Sequence, residues 1–324
     1  MTASLAFAFL VATHDPSPEA VRAAVGRALP PLQRAASVHA EERTCFGCHN
    51  QAYPMLAFAS AKRLGFDLDP AFVREQVKHL RGFIADHRKD WAEKKGTGGQ
   101  VDTAGWLLAT LGAAGEKPDD DTRSIANYVL ARHADKPSWT VSSNRPPTQA
   151  SSFTTSWLAV RSLKEWGADG AKDAIVKRIG SAREWALQTP AKDTEDRVYR
   201  LRILKDAGAS NADVAAAAKD LLGLQRADGG WAQLPKMASD PYATATALAA
   251  LAEAGGVSPT AREYRDGVRF LLRTQTSDGT WHVTARAKPI QPYYEGGYPY
   301  GKDQFLSSTA ASWAVIALAA AVEK

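Results

Sequence analysis

Small and hydroxyl-bearing side chains, then a run of alanine and leucine, then a glycine: this order recurs along the chain. The segments are residues 53–64 before Gly65, 103–114 before Gly115, 154–166 before Gly167, 194–207 before Gly208 and 243–254 before Gly255. A last copy, residues 308–321, closes the sequence. Successive glycines lie 50, 52, 41 and 47 residues apart. A glycine just beyond an apolar run marks a helix C-terminus, because glycine enters the left-handed conformation without a Cβ penalty. Between these segments lies a second set, residues 71–84, 121–133, 171–187, 211–225 and 261–275. These are more charged, with apolar faces such as Leu221, Leu222 and Leu224 or Phe270, Leu271 and Leu272 beside polar ones.

The first set has small residues on nearly every side, so it is expected to be buried all round. The second set is expected to face water on one side. The near-constant period predicts an all-α fold, a closed or curved stack of six helical hairpins that can close into a barrel. Six inner and six outer helices then enclose a central cavity, with the inner helix N-termini around one mouth. The expected division is residues 1–15 as a signal or N-terminal helix, 16–52 as an attachment segment that holds both cysteines, and 53–324 as the helical repeat.

Composition narrows the function classes. Hydrophobic residues are 45% and charged residues 23%, with a net charge of +5 over 324 residues. Basic residues mostly neighbour acids, as in Arg262-Glu263 and Arg265-Asp266. No concentrated basic stripe for nucleic acid is present. No run of apolar residues reaches the roughly 18 to 20 that span a bilayer, so no transmembrane segment is expected. Residues 3–12 resemble the apolar core of a secretory signal but lack a basic leader. A short buried helix is the competing reading; export to the periplasm suits the chemistry that follows.

The only two cysteines stand in Cys45-Phe46-Gly47-Cys48-His49. This C-x-x-C-H spacing suits one covalently attached haem c, with thioether bonds to Cys45 and Cys48 and His49 as an axial iron ligand. A zinc site would need further ligands nearby. A thioredoxin-like motif would need strands, and a Cys45–Cys48 disulfide is a further alternative. The second axial ligand sets the behaviour of the iron. Candidates for it are Met237 and His282, which follow the two joints described next. His79 and His87 read as solvated histidines.

Two joints between hairpins are distinctive. One runs Gln225-Arg226-Ala227-Asp228-Gly229-Gly230-Trp231, the other Gln275-Thr276-Ser277-Asp278-Gly279-Thr280-Trp281, with weaker echoes at Trp91 and at Asp135…Trp139. These resemble the Q…G-x-W repeats of the squalene–hopene cyclase and protein prenyltransferase superfamily, over residues 51 to 324. The C-H-N-Q-A-Y-P run after the motif further resembles bacterial, haem-motif variants of such toroids. The resemblance implies an (α/α)6 toroid of six helical hairpins with an apolar central pocket, in a periplasmic haem-bearing protein. It does not carry the family's chemistry across intact. Asp240-Pro241-Tyr242 stands where the D-x-D-D acid motif would begin, without the further aspartates. No cysteine follows Cys48 to build a prenyltransferase zinc site.

Two further places are candidates for chemistry. Asp193-Thr194-Glu195-Asp196 opens the fourth inner helix. Clustered carboxylates there read either as a general acid or as a helix-capping cluster, with Arg197, Arg200 and Arg202 expected to neutralise them. Residues 282–305 form a long insertion that reads as a lid over the cavity or as an ordered packing loop. Asp240, Tyr242, Gln291, Tyr293 and Tyr298 are the expected cavity or lid residues. Three functions fit the sequence. The first is a mono-haem c-type electron-transfer protein with a redox partner protein. The second is a haem-dependent or haem-assisted enzyme, an oxidoreductase rather than a cyclase, on an isoprenoid or other apolar small molecule. The third is a non-catalytic shell that binds such a molecule.

Overall fold

The computed structural model describes residues 16–289 and 292–322. The signal-like stretch 1–15 and Gln291 lie outside them. In chain order the helices are α1 (Pro18–Glu42), α2 (Tyr53–Arg63), α3 (Pro70–Asp86), α4 (Arg88–Ala92), α5 (Gln100–Ala113), α6 (Asp120–Ala131) and α7 (Ser152–Trp166). They continue as α8 (Lys172–Gln188), α9 (Thr194–Asp206), α10 (Asn211–Leu222), α11 (Pro241–Glu253), α12 (Arg262–Thr274) and α13 (Gln304–Val322). Among the described residues there is no strand, only an isolated bridge between Arg145 and Gln149.

Local chemistry sets the helix ends. Ser17, Asp69, Asp119, Ser151, Asp193, Ser210 and Asp240 each accept a hydrogen bond from a first-turn amide. The glycines at 65, 115, 208 and 255 take positive φ, as the sequence predicts. Gly167 does not. It ends α7 at φ −63°, and a Cβ there would lie 2.4 Å from Ile175 Cδ1, so close packing requires that glycine.

Helices α2, α5, α7, α9, α11 and α13 each pack on the next, and α13 packs on α2, which closes an inner ring. Residues 101–111 of α5 and 241–251 of α11 are buried without interruption. The outer helices bury one stripe, as Tyr264, Gly267, Val268, Phe270 and Leu271 do on α12. The result is the expected toroid, with one difference. Residues 18–42, assigned from sequence to a separate attachment segment, form the outer helix that packs on α13. Gly301–Val322 is long and apolar enough to cross a bilayer by length and composition, but most of it is buried as the last inner helix.

The joints explain the Q…G-x-W pattern. Trp231 Nε1 donates to the Leu221 carbonyl at 2.9 Å, and Trp281 Nε1 to the Leu271 carbonyl at 2.9 Å. Trp139 Nε1 reaches the Val129 carbonyl at 2.8 Å, the same ten-residue offset. Each indole donates to a carbonyl near the end of an outer helix, adding to the backbone bonds that Leu221 and Leu271 already accept there. Each glutamine bridges to the next outer helix. Gln225 Nε2 donates to the Glu263 carbonyl (2.7 Å) and Gln275 Nε2 to the Ala24 carbonyl (2.9 Å). Gly229 and Gly279 both sit at φ +84°, with a neighbouring backbone carbonyl within 2.5 Å of where a Cβ would be.

The space inside the ring of inner helices is divided across its middle. A belt of rings from five inner helices occupies the waist of the barrel. Tyr53 lies 4.3 Å from Trp106 and 5.9 Å from Trp313, Trp106 lies 5.9 Å from Trp157, and Trp157 lies 5.2 Å from Tyr199. The larger cavities at the barrel ends are a cleft of about 270 Å3 at the N-terminal mouth of the inner helices and a bowl of about 840 Å3 at the C-terminal mouth.

Candidate functional site

The Cys45–His49 segment leaves α1 and enters α2 through one wide turn, Cys48–Ala52. Gln51 fixes its start: its side chain accepts from the Gly47 amide at 3.1 Å, and its own amide donates to the Gly47 carbonyl at 2.8 Å. Two histidines from flanking helices hold the backbone. His39 Nε2 donates to the Cys45 carbonyl at 2.8 Å and His79 Nε2 to the Arg43 carbonyl at 2.6 Å. A carbonyl only accepts, so Nε2 is the donor in both rings, and a neutral ring then has its lone pair at Nδ1. That of His39 accepts from the Tyr294 hydroxyl (3.1 Å) and that of His79 from Gln51 Nε2 (3.0 Å). Burial pushes the His39 pKa down to about 4, so the ring is neutral at neutral pH. Gly47 makes the approach possible, because a Cβ there would stand 2.5 Å from His39 Nε2.

Cys45 is exposed and Cys48 is buried. Burial, then the nearby Asp102 carboxylate, pushes the Cys48 thiol up to about 12, so it is not a thiolate nucleophile in this state. His49 packs near Tyr53 and Phe305, and its Nε2 lies 3.0 Å from the Thr148 hydroxyl. Burial, and then Arg145, pushes its pKa down to about 3, so it too is neutral. Cys45, Cys48 and His49 all line the 270 Å3 cleft. Phe46, Phe305 and Tyr294 supply aromatic walls, and Arg43 and Arg145 supply charge. The Arg43 guanidinium stacks 3.9 Å over the Tyr294 ring. Arg145 donates to Gln149 (2.8 Å), while its Nε meets no acceptor.

The donor set fits a haem c: two thiols at the attachment spacing and a neutral imidazole face one cleft, with two guanidinium groups for carboxylates. Thr148 stands before His49 Nε2, so the loop that carries it would have to yield to the group. Among the described residues no cluster of three or more His, Cys, Asp and Glu side chains is placed to hold a bare metal ion, so a zinc site finds no support.

The other candidate residues are scattered. His282 bonds Asp303 (2.9 Å) and stacks on Tyr300, and Met237 sits in the loop before α11; neither lines the cleft. Tyr293 is 54% exposed and Tyr298 is buried away from the cleft. Of the long insertion, it is Tyr294 and Phe305 that reach the site. Asp240 caps α11 through the Ala243 amide (3.0 Å), and burial pushes its pKa up to about 6.

The acidic cluster divides its labour. Asp193 accepts from the Asp196 amide (2.9 Å), and Asp196 from Ser151 (2.6 Å) and the Lys192 amide (2.9 Å). These two are capping residues. Glu195 points inward, accepting from Tyr242 (2.9 Å) and Thr154 (3.1 Å), and burial pushes its pKa up to about 8. Glu195 and Tyr242 line a void of about 10 Å3, room for one water. Of the following arginines, Arg197 and Arg202 act on Asp193 and Glu195 through charge, while their bonds go elsewhere. Arg197 pairs with Asp220, Arg200 bonds the Leu187 carbonyl, and Arg202 pairs with Glu253.

His39, His79, Tyr294, Thr148 and Arg145 were not legible as site residues. They come from α1, α3, the loop that holds both Arg145 and Thr148, and the long insertion, and no repeat links these to the motif.

No protein-family model and no curated protein matches the chain. Solved structures do. Type II terpene cyclase MstE from Scytonema in its apo form is 14% identical, with a TM-score of 0.65 over 94% of this chain and 98% of that one. A complex of a variant of that enzyme with geranylgeranyl dihydroxybenzoate gives 0.60 at 12% identity, over 93% and 99%. A protein from Actinoplanes gives 0.57 at 17%, over 90% and 98%. At these identities the likeness is one of fold: the chain is a terpene-cyclase-like helical toroid.

Proposed function

We propose that this chain is an exported mono-haem c-type redox protein, with the haem held in the cleft at the N-terminal mouth of the toroid. One observation carries the reading: Cys45, Cys48 and His49, the complete attachment set, line a single cleft with aromatic walls and two guanidinium groups. When bound, the haem supplies one-electron chemistry at its iron. The chain's own residues hold and orient it. Cys45 and Cys48 anchor it, His49 offers a neutral imidazole, and Arg43 and Arg145 balance its carboxylates. His39 and His79 fix the turn through its carbonyls. Cys45 lies at the surface, so a redox partner protein can approach this mouth. The test is expression with an export signal and cytochrome c maturation factors, followed by a pyridine haemochrome spectrum. A thioether-type spectrum that is lost in Cys45→Ser with Cys48→Ser is expected; its absence in the wild type removes the proposal.

A second reading rests on Glu195. A carboxylic acid kept neutral near pH 7 at an inner helix start is suited to proton donation. Type II terpene cyclase MstE, which has this fold, is named with an isoprenoid-bearing substrate. An enzyme acting on an apolar isoprenoid would use that acid, and turnover lost in Glu195→Gln with folding retained would favour it. It ranks second because the adjoining void has room for one water only and the aromatic belt occupies the barrel waist.

A further inference from the structure

We infer that the bowl at the C-terminal mouth is a second binding site, for a flat apolar molecule whose one carboxylate takes the place of Glu253 on Arg202, a residue seated beneath the bowl wall. The site is independent of the haem reading and lies across the aromatic belt from the cleft. All six inner helices contribute to its 840 Å3. Its walls include Leu56, Ile316 and the indoles of Trp157 and Trp313. The Arg202 guanidinium lies over both indoles, 4.3 Å from the Trp313 ring centre and 5.0 Å from that of Trp157.

Arg202 is only 2% exposed, yet none of its three side-chain nitrogens has a hydrogen-bonded acceptor among the described residues. The nearby carboxylate is that of Glu253, a bowl residue, with Oε2 3.2 Å from Nη2. A buried guanidinium without well-formed hydrogen bonds is costly, and a planar carboxylate matches its fork of donors. Glu253 is 47% exposed, so it can turn outward and give its place to a ligand carboxylate. The other charges at the rim are largely paired: Arg161 with Glu165 at 2.9 Å, Lys164 with Asp206 at 3.8 Å. Arg63, also on the wall, bonds the Ser60 hydroxyl at 3.4 Å, so Arg202 is the buried guanidinium that faces Glu253, and a single such group favours a carboxylate over a phosphate dianion. The two indoles and aliphatic walls favour a flat apolar body.

The test is calorimetric titration of the full chain with 2-naphthoate and with its neutral isostere 2-naphthamide. Naphthoate is expected to bind, and naphthamide at least tenfold more weakly, as loss of a charge-assisted contact implies. Arg202→Met should weaken naphthoate by a similar factor. Glu253→Gln should tighten it several-fold, because the competing carboxylate is gone. Should Arg202→Met not fold, Ala252→Trp, which fills the bowl from its wall, is expected to abolish binding. No naphthoate binding by either the wild type or Glu253→Gln overturns the proposal. So does equal affinity for acid and amide, or weaker binding in Glu253→Gln. A haemochrome spectrum of the same preparations reports on the other mouth separately.

Discussion

Gln275 Nε2 donates to the Ala24 carbonyl at 2.9 Å, joining residues 251 apart in sequence. It repeats the bond from Gln225 to Glu263, one joint earlier. The N-terminal helix α1 thus stands as the next outer helix after α12, and the toroid closes through its two chain ends.

Removing this closure should be costly. Gln275→Ala leaves the Ala24 and Gly279 carbonyls without that donor and is expected to cost about 1–3 kcal/mol. A fall in the urea midpoint with an unchanged slope would show it. Deleting residues 1–42 uncovers the face of α13 that α1 packs on, and should yield a chain without a cooperative unfolding transition by circular dichroism.

The joint tryptophans should behave alike. Trp139→Phe, Trp231→Phe and Trp281→Phe keep an aromatic ring but remove the donor to a buried carbonyl. Each is expected to lose roughly 1–2 kcal/mol in chemical denaturation. A neutral result for Trp139→Phe alone would mean that the third joint does not work as the other two do.

Gly47 and His39 should be coupled. Gly47→Ala drives a Cβ into the imidazole and is expected to cost about 1–3 kcal/mol and lower the yield of attached haem. In a His39→Ala background the same change should cost much less, because the ring it strikes is gone. A double-mutant cycle measures this; additive effects would break the link between the two residues.

Glu195 should make stability fall as pH rises. Its pKa is raised from 4.5 to about 8 in the folded state. Between these values the folded protein holds a proton that the unfolded chain has released, so stability declines across roughly pH 4.5 to 8. The decline attributable to this group is on the order of a few kcal/mol. Glu195→Gln cannot ionise and should flatten that slope. Urea titrations at several pH values would show it, and identical slopes in both proteins would rule the assignment out.

Much of the architecture was legible in the sequence, because its signals are local. Helix faces repeat every three or four residues, caps act within one turn, and each joint indole meets a carbonyl ten residues back. Those contacts leave a period that can be read without a structure, as does the C-x-x-C-H spacing. Other features rest on distant pairs. His49 meets Thr148 across 99 residues, and His39 meets Tyr294 across 255. Nothing in the order of residues marks such partners. Likewise, Arg202 followed an acidic cluster in sequence and was expected to neutralise it. Residues 195 and 202 are two turns apart on α9, so one reaches Tyr242 and the other the two indoles and Glu253. The sequence by itself determined the helical repeat, the joints and the C-x-x-C-H spacing. The tertiary structure decided how the ring closes, what walls the cleft and where each buried charge finds its partner, because only ring closure brings those separate segments together.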